Sequence, residues 1–158
     1  RLGIPVDIAV LQADLQYAQE HCEVWSTLRC LEAFAELALD KSETDECMAY
    51  ADQLLALATR GELREVMGQA HRLRGLAFLA AQAYKSARKA LTQALTLAEQ
   101  IGRVRLAWEC HQALARVAAA VGDGRGQNEQ LARAHALADQ IMENLRGMGL
   151  TLNLNADQ

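Results

Sequence analysis

Aromatic residues make up only 4% of this 158-residue chain, and it contains a single proline. Ala, Leu, Gln, Glu and Arg, all good helix formers, fill most of the remainder. No run of 18 or more apolar residues exists, so no segment is expected to span a membrane. No basic-apolar-small leader precedes the first helical pattern, so export is not indicated. The four cysteines (Cys22, Cys30, Cys47 and Cys110) lack the two-residue gaps of a zinc or thiol-disulfide motif. Each lies among apolar neighbours, where free cysteine behaves as a small hydrophobe. Buried, reduced thiols and a cytoplasmic location are therefore expected. Arg1 stands where an initiator Met would be, as expected of a segment from inside a longer polypeptide.

One pattern is present three times at a spacing of 40 residues. Leu31, His71 and His111 share a phase, followed by the small trio Ala35, Gly75 and Ala115. Later phases hold Ala51, Leu91 and Leu131; Leu54, Ala94 and Ala134; and Leu57, Leu97 and Leu137. Apolar residues recur at three- and four-residue steps, which predicts helices over 6–20, 23–39, 44–60, 62–81, 84–101, 103–121 and 127–146. Thr44 is expected to cap its helix, with acidic residues in the turn after it. Gly61 and Gly102 are expected to stop helices in the left-handed conformation. Gly122-Asp123-Gly124-Arg125-Gly126 is expected to form the last interhelix turn. Helical patterning at such a period means stacked helix pairs. Naming the helices of a pair A and B gives repeats 23–60, 62–101 and 103–146, with 6–20 an orphan B helix and 147–158 a tail. The array then begins half a repeat in, and a flanking segment or a second chain is expected to cover that end. One all-α domain of seven helices results, folded over residues 1–158.

The small residue at 35, 75 and 115 suits a close crossing of antiparallel helices, facing Cys47, Ala87 and Gln127 twelve residues on. Gly75, Phe78, Ala87, Leu91 and Ala94 carry a resemblance to the tetratricopeptide repeat, whose standard unit is about 34 residues. Arg72-Leu73-Arg74-Gly75 with Leu97-Ala98-Glu99-Gln100-Ile101-Gly102 is similar to the longer unit of bacterial maltose-regulator-type proteins and signal-transduction ATPases. That resemblance, over about 6 to 146, implies a right-handed α–α superhelix that binds a protein or peptide on its concave wall. Carried over residue by residue, it lines that wall with Arg29, Glu32, Glu36 and Leu39. Gln69, Arg72, Leu76 and Leu79 follow on the second A helix, then Glu109, Gln112, Arg116 and Ala119 on the third. Arg72 and Arg116 suit an acidic ligand group, because a guanidinium forks onto a carboxylate. The competing reading of each is a solvated face with intramolecular ion pairs.

No catalytic constellation emerges. No serine lies on a strand-turn-helix elbow. The glycine-rich run at 122–126 is not followed by Gly-Lys-Ser/Thr. His71 and His111 lack a second local ligand, so structural packing at the A–B interface is expected rather than zinc. Glu43, Asp45 and Glu46 read as a solvated helix start rather than a calcium loop. No enzyme activity, metal or cofactor is anticipated.

Charge is unevenly spread: net −8 over 1–59, +6 over 60–116 and −2 over 117–158. Such asymmetry can orient a bound peptide or pair two copies, whereas nucleic acid would be repelled by the acidic third. Trp25 and Trp108 are expected to stack between repeats, with a ligand-binding role as the alternative. Leu150-Thr151-Leu152-Asn153-Leu154-Asn155 has a strand-like period and either frays or packs on a neighbour. The function expected is a protein-interaction module of a larger bacterial regulator. The alternatives are a small-molecule sensor, with a pocket near Trp108 and His111, or a self-association domain.

Overall fold

The computed structural model describes residues 8–147, which fold into seven α-helices and, among the described residues, no strand. They are α1 (Ile8–Glu20), α2 (Val24–Asp40), α3 (Thr44–Arg60), α4 (Arg64–Ala80), α5 (Tyr84–Gln100), α6 (Val104–Ala120) and α7 (Gly124–Gly147). The start of the expected first helix and the 150–155 tail lie outside the described residues. Each of α2 to α6 is 17 residues long, about 25 Å of helix.

A single turn design joins them. Cys22, Ser42, Glu62, Gln82, Gly102 and Gly122 all have φ between 54° and 76°, one every twenty residues. The amide after each reaches back five positions. Glu23 donates to Ala18, Glu43 to Ala38 and Leu63 to Ala58, and the series continues with Ala83 to Phe78, Arg103 to Ala98 and Asp123 to Ala118, all at 2.8–2.9 Å. The left-handed residue donates to the carbonyl three before it, as in Gly102 to Glu99 at 3.3 Å. These paired bonds form the Schellman motif, which satisfies carbonyls a helix end would leave bare. Gly102 behaves as expected. Gly61 does not: its φ is −90°, and Glu62 takes the left-handed position instead.

Left-handed backbone costs an ordinary L-residue about 1 kcal/mol or more. Glu62→Gly and Gln82→Gly are therefore expected to stabilise the chain by about 0.5–1 kcal/mol each, after the entropy that glycine loses on folding. Gly102→Ala should lose about 1 kcal/mol through its φ alone, since a Cβ there would meet nothing within 4 Å. Urea midpoints of the three variants check this; no gain at either Glu62 or Gln82 would refute it.

Helix starts are less uniform. Glu43, not Thr44, is the N-cap of α3, and no side chain caps α2 to α6. Asp123 differs, since its Oδ1 accepts a 2.9 Å bond from the Gly126 amide. This bond winds Gly124-Arg125-Gly126 into the first turn of α7, so the helix begins three residues before the expected 127. Gly126 is small for a reason, because a Cβ on it would lie 2.3 Å from Asp123 Oδ2.

Two apolar clusters meet at α4. One joins Leu28, Leu31 and Ala35 of α2 to Cys47, Ala51 and Leu54 of α3 and Ala70, Leu73 and Ala77 of α4. The other joins Ala87, Leu91 and Ala94 of α5 to Leu106, Cys110 and Val117 of α6, with Leu76, Phe78 and Leu79 of α4 packed on it. Leu54, Ala94 and Ala134, forty apart, are all buried. At the A–B crossing, Gly75 lies against Leu91: its absent Cβ would lie 2.6 Å from Leu91 Cγ.

Each helix packs on its chain neighbours, and α2 also touches α4, which touches α6. The outer helices α1, α3, α5 and α7 make no such contacts with one another among the described residues, so the stack is open rather than a closed bundle.

Candidate functional site

The row α2–α4–α6 gathers the residues expected to face a partner. Gly68 brings two of these helices close, since a Cβ on it would lie 2.8 Å from Leu106 Cδ2 on α6. Across that row, Arg72 on α4 is the central polar group, with its side chain 12% exposed. Its Nη2 lies 3.0 Å from Glu36 Oε1 on α2, and its Nε 3.2 Å from Glu109 Oε2 on α6. Nε also donates to Gln69 Oε1 at 2.9 Å. One guanidinium therefore ties three helices together.

Glu109 has a second cation, Arg105, at 3.2 Å. Arg103, the N-cap of α6, pairs with Glu65 of α4 on the same row. Burial pushes the Glu32 carboxyl above the ordinary carboxylate pKa. Glu36, Glu109 and Glu65 push the same way, and Arg72 alone opposes them. This side of the stack is therefore a carboxylate cluster built around a half-buried cation.

Other expected wall residues fall at its margin. Arg29 on α2 and Gln112 and Arg116 on α6 are exposed, and Leu76 is half-buried against the second core cluster. Arg116 has no hydrogen bond or ion pair with any described residue. Of the two arginines expected to serve as anchors, Arg72 is occupied within the chain and Arg116 faces solvent.

The histidines lie at helix interfaces, as their phase requires. His111 is buried, with Nδ1 2.7 Å from Gln130 Oε1 of α7. His71 Nδ1 is buried without a hydrogen-bond partner, and burial, reinforced by Arg74, lowers its pKa. Burial raises the Cys47 thiol to about 11 and Cys110 to about 12, keeping both protonated. Cys22 departs from expectation: it lies exposed in a turn. Trp25 is 64% exposed rather than stacked between repeats, while Trp108 is half-buried. Among the described residues, no group of three or more His, Cys, Asp or Glu is arranged to hold a metal ion. No described helix is long and apolar enough to cross a membrane.

The sequence offered intramolecular ion pairs as the competing reading of Arg72 without naming the partners, although these left a trace. The ion pairs join residues 36, 37 and 38 apart (Glu36–Arg72, Arg72–Glu109 and Glu65–Arg103). Opposite charges just short of one 40-residue repeat apart mark side chains that bridge successive A helices. Comparison with protein-family models, curated proteins and solved structures returns no match to this chain.

Proposed function

We propose that this chain is an interaction module of tetratricopeptide type, which presents the α2–α4–α6 face to a protein or peptide. The observation that carries the reading is the Glu36–Arg72–Glu109 clamp. It fixes three helices as one rigid wall, and a rigid surface loses little entropy on binding. Exposed Arg29, Gln112 and Arg116 flank the wall and supply the polar contacts. A right-handed superhelical course would make that wall concave. A regulatory or signalling role within a larger bacterial cytoplasmic protein accords with the resemblance of the repeat unit.

Arg116 is the better anchor for an acidic group, because Arg72 would have to give up two carboxylates first. The small-molecule reading is weaker, since Gln130 already takes the polar edge of His111.

Photo-crosslinking tests the proposal. A photoreactive residue at Gln112 or Arg116 should trap a discrete partner in cells of the source organism. One at exposed Thr92 or Thr96 on α5 should not. The trapped partner should bind Arg116→Glu about tenfold more weakly, a loss of about 1.4 kcal/mol. Equal trapping at both faces, or an unaltered affinity, would overturn it.

A further inference from the structure

The groove between the inner and outer helix of each pair holds a cavity at one repeat phase, and its lining differs in charge from copy to copy. Between α2 and α3 it measures about 190 Å³ and is lined by Phe34, Ala38, Glu46 and Tyr50 among others. Between α4 and α5 it measures about 300 Å³ and is lined by His71, Arg74, Phe78, Ser86, Lys89 and Gln93, together with Ala90. Between α6 and α7 it measures about 250 Å³, with Leu114, Ala118, Gly126, Glu129 and Gln130 in its wall. Steps of forty residues align these walls. Phe34, Arg74 and Leu114 share one phase, and Ala49, Lys89 and Glu129 share another. At these phases only the middle copy carries cations.

The histidine phase shows what the middle copy lacks. His111 Nδ1 meets Gln130 Oε1 at 2.7 Å. The counterparts of this pair are Leu31 and Tyr50 in the first copy, and His71 and Ala90 in the second. Alanine has no side-chain polar atom to offer, and His71 Nδ1 is buried without a hydrogen bond. Arg74 Nε lies 2.9 Å from Asp52 Oδ1, but it is not aligned to donate there and is likewise buried without a hydrogen bond. Among the described residues, both buried side-chain nitrogens without a hydrogen bond thus belong to the wall of one cavity. Buried polar groups are nearly always satisfied, so two in one place point to a missing acceptor. Lys89 is exposed and, among the described residues, has neither a hydrogen bond nor an ion pair.

We infer that the α4–α5 cavity binds the phosphate group of a small organic monoester. Arg74 and Lys89 supply positive charge, while Ser86, Gln93 and the Nδ1–H tautomer of His71 supply neutral donors. Guanidinium and ammonium both suit phosphate. Five donor groups on two helices exceed what the two oxygens of a carboxylate take, and they match the three terminal oxygens of a phosphate ester. Phe78 and Ala90 are apolar and cover the organic part, which free phosphate lacks. Residues 60–116 carry a net +6, which draws an anion to this stretch of the stack. Asp52, the carboxylate beside Arg74, is not part of the cavity wall. The third copy is an internal contrast, because Glu129 in place of Lys89 and Leu114 in place of Arg74 disfavour the same ligand.

Phenyl phosphate serves as the probe, with inorganic phosphate and benzoate beside it. Calorimetry against the whole chain should show saturable binding of phenyl phosphate below about 1 mM, and binding of the other two weaker by about tenfold or more. Amide shifts should centre on the stretches of α4 and α5 that line the cavity. Lys89→Glu, which copies the third repeat, should weaken binding about tenfold. Its exposed position keeps the variant folded, which an unchanged melting midpoint checks. Ala90→Gln copies the same repeat and should weaken binding to a similar degree, by giving His71 a partner within the chain. The inference is overturned by no saturable binding, by undiminished binding to either folded variant, or by shifts elsewhere on the chain. Benzoate binding as tightly as phenyl phosphate would overturn the choice of phosphate, and inorganic phosphate doing so would overturn the ester. None of these outcomes bears on trapping at Arg116, so the two readings fail separately.

Discussion

Replacing Gly75 by valine is expected to destabilise the chain by about 3 kcal/mol, at the upper end of overpacking costs. Helix propensity points the other way, since glycine in a helix interior is worse than alanine by about 1 kcal/mol. Sterics decide the sign. A Cβ at 75 would lie 2.6 and 2.7 Å from Leu91 Cγ and Cδ2 and 3.3 Å from its backbone nitrogen. Leu91 cannot step aside, because it is 0% exposed and enclosed by the second core cluster. Valine adds two methyl groups to that conflict. For a chain of this size the melting midpoint should fall by roughly 6–12 °C. Leu91→Ala in the Gly75→Val background should recover part of the loss, with a coupling of about 1–2 kcal/mol. Purely additive effects, or a Gly75→Ala variant more stable than the parent, would show that the helices do not approach this closely.

Arg72→Met should be nearly as damaging near neutral pH, by about 2–3 kcal/mol. Removing one partner of a buried pair costs about 3–5 kcal/mol, and the exposure of Glu36 screens part of it. The variant leaves Glu32, Glu36 and Glu109 without the cation they share. Its pH dependence follows from Glu32, whose folded pKa is raised by burial first and by neighbouring carboxylates next. A raised carboxyl pKa means the folded chain holds the proton more tightly than the unfolded chain. The favourable contribution is fully present below the unfolded value and is lost as pH rises through the folded one. Without Arg72 the raised value climbs further. The deficit of Arg72→Met should therefore shrink as pH falls towards about 4, and Glu32→Gln should relieve part of it near neutrality. Urea melts of the single and double variants at both pH values provide the test. A deficit that grows on acidification would contradict the cluster.

How much of this was legible beforehand depends on the kind of signal. Helices α2 to α6 were readable because three- and four-residue apolar steps persist through each, and Gly102 marks its own turn. The twenty-residue turn was not read, because Cys22, Ser42, Glu62 and Gln82 hold a conformation that glycine usually announces. A trace of it survives in Ala18, Ala38, Ala58, Ala98 and Ala118, each accepting the long Schellman bond. The start of α7 was misplaced because three glycines in five residues look like a loop until the Asp123 cap is seen. Among the expected wall residues, sequence placed Glu36, Arg72 and Glu109 on one row. It left open whether each arginine faced a ligand or its own neighbours, since that depends on distances between helices rather than along them.

The uniform turn has a consequence for how such a chain can change its length. All six connections share one bonding pattern, so the backbone would tolerate losing or gaining any single helix with its turn. The side chains would not, because only every second helix contributes to the inner row. An odd number of inserted helices would exchange inner and outer strata for everything downstream, exposing leucines and burying glutamates. Growth of this architecture is thus quantised in hairpins, and a duplication that preserves solubility must copy two helices at once.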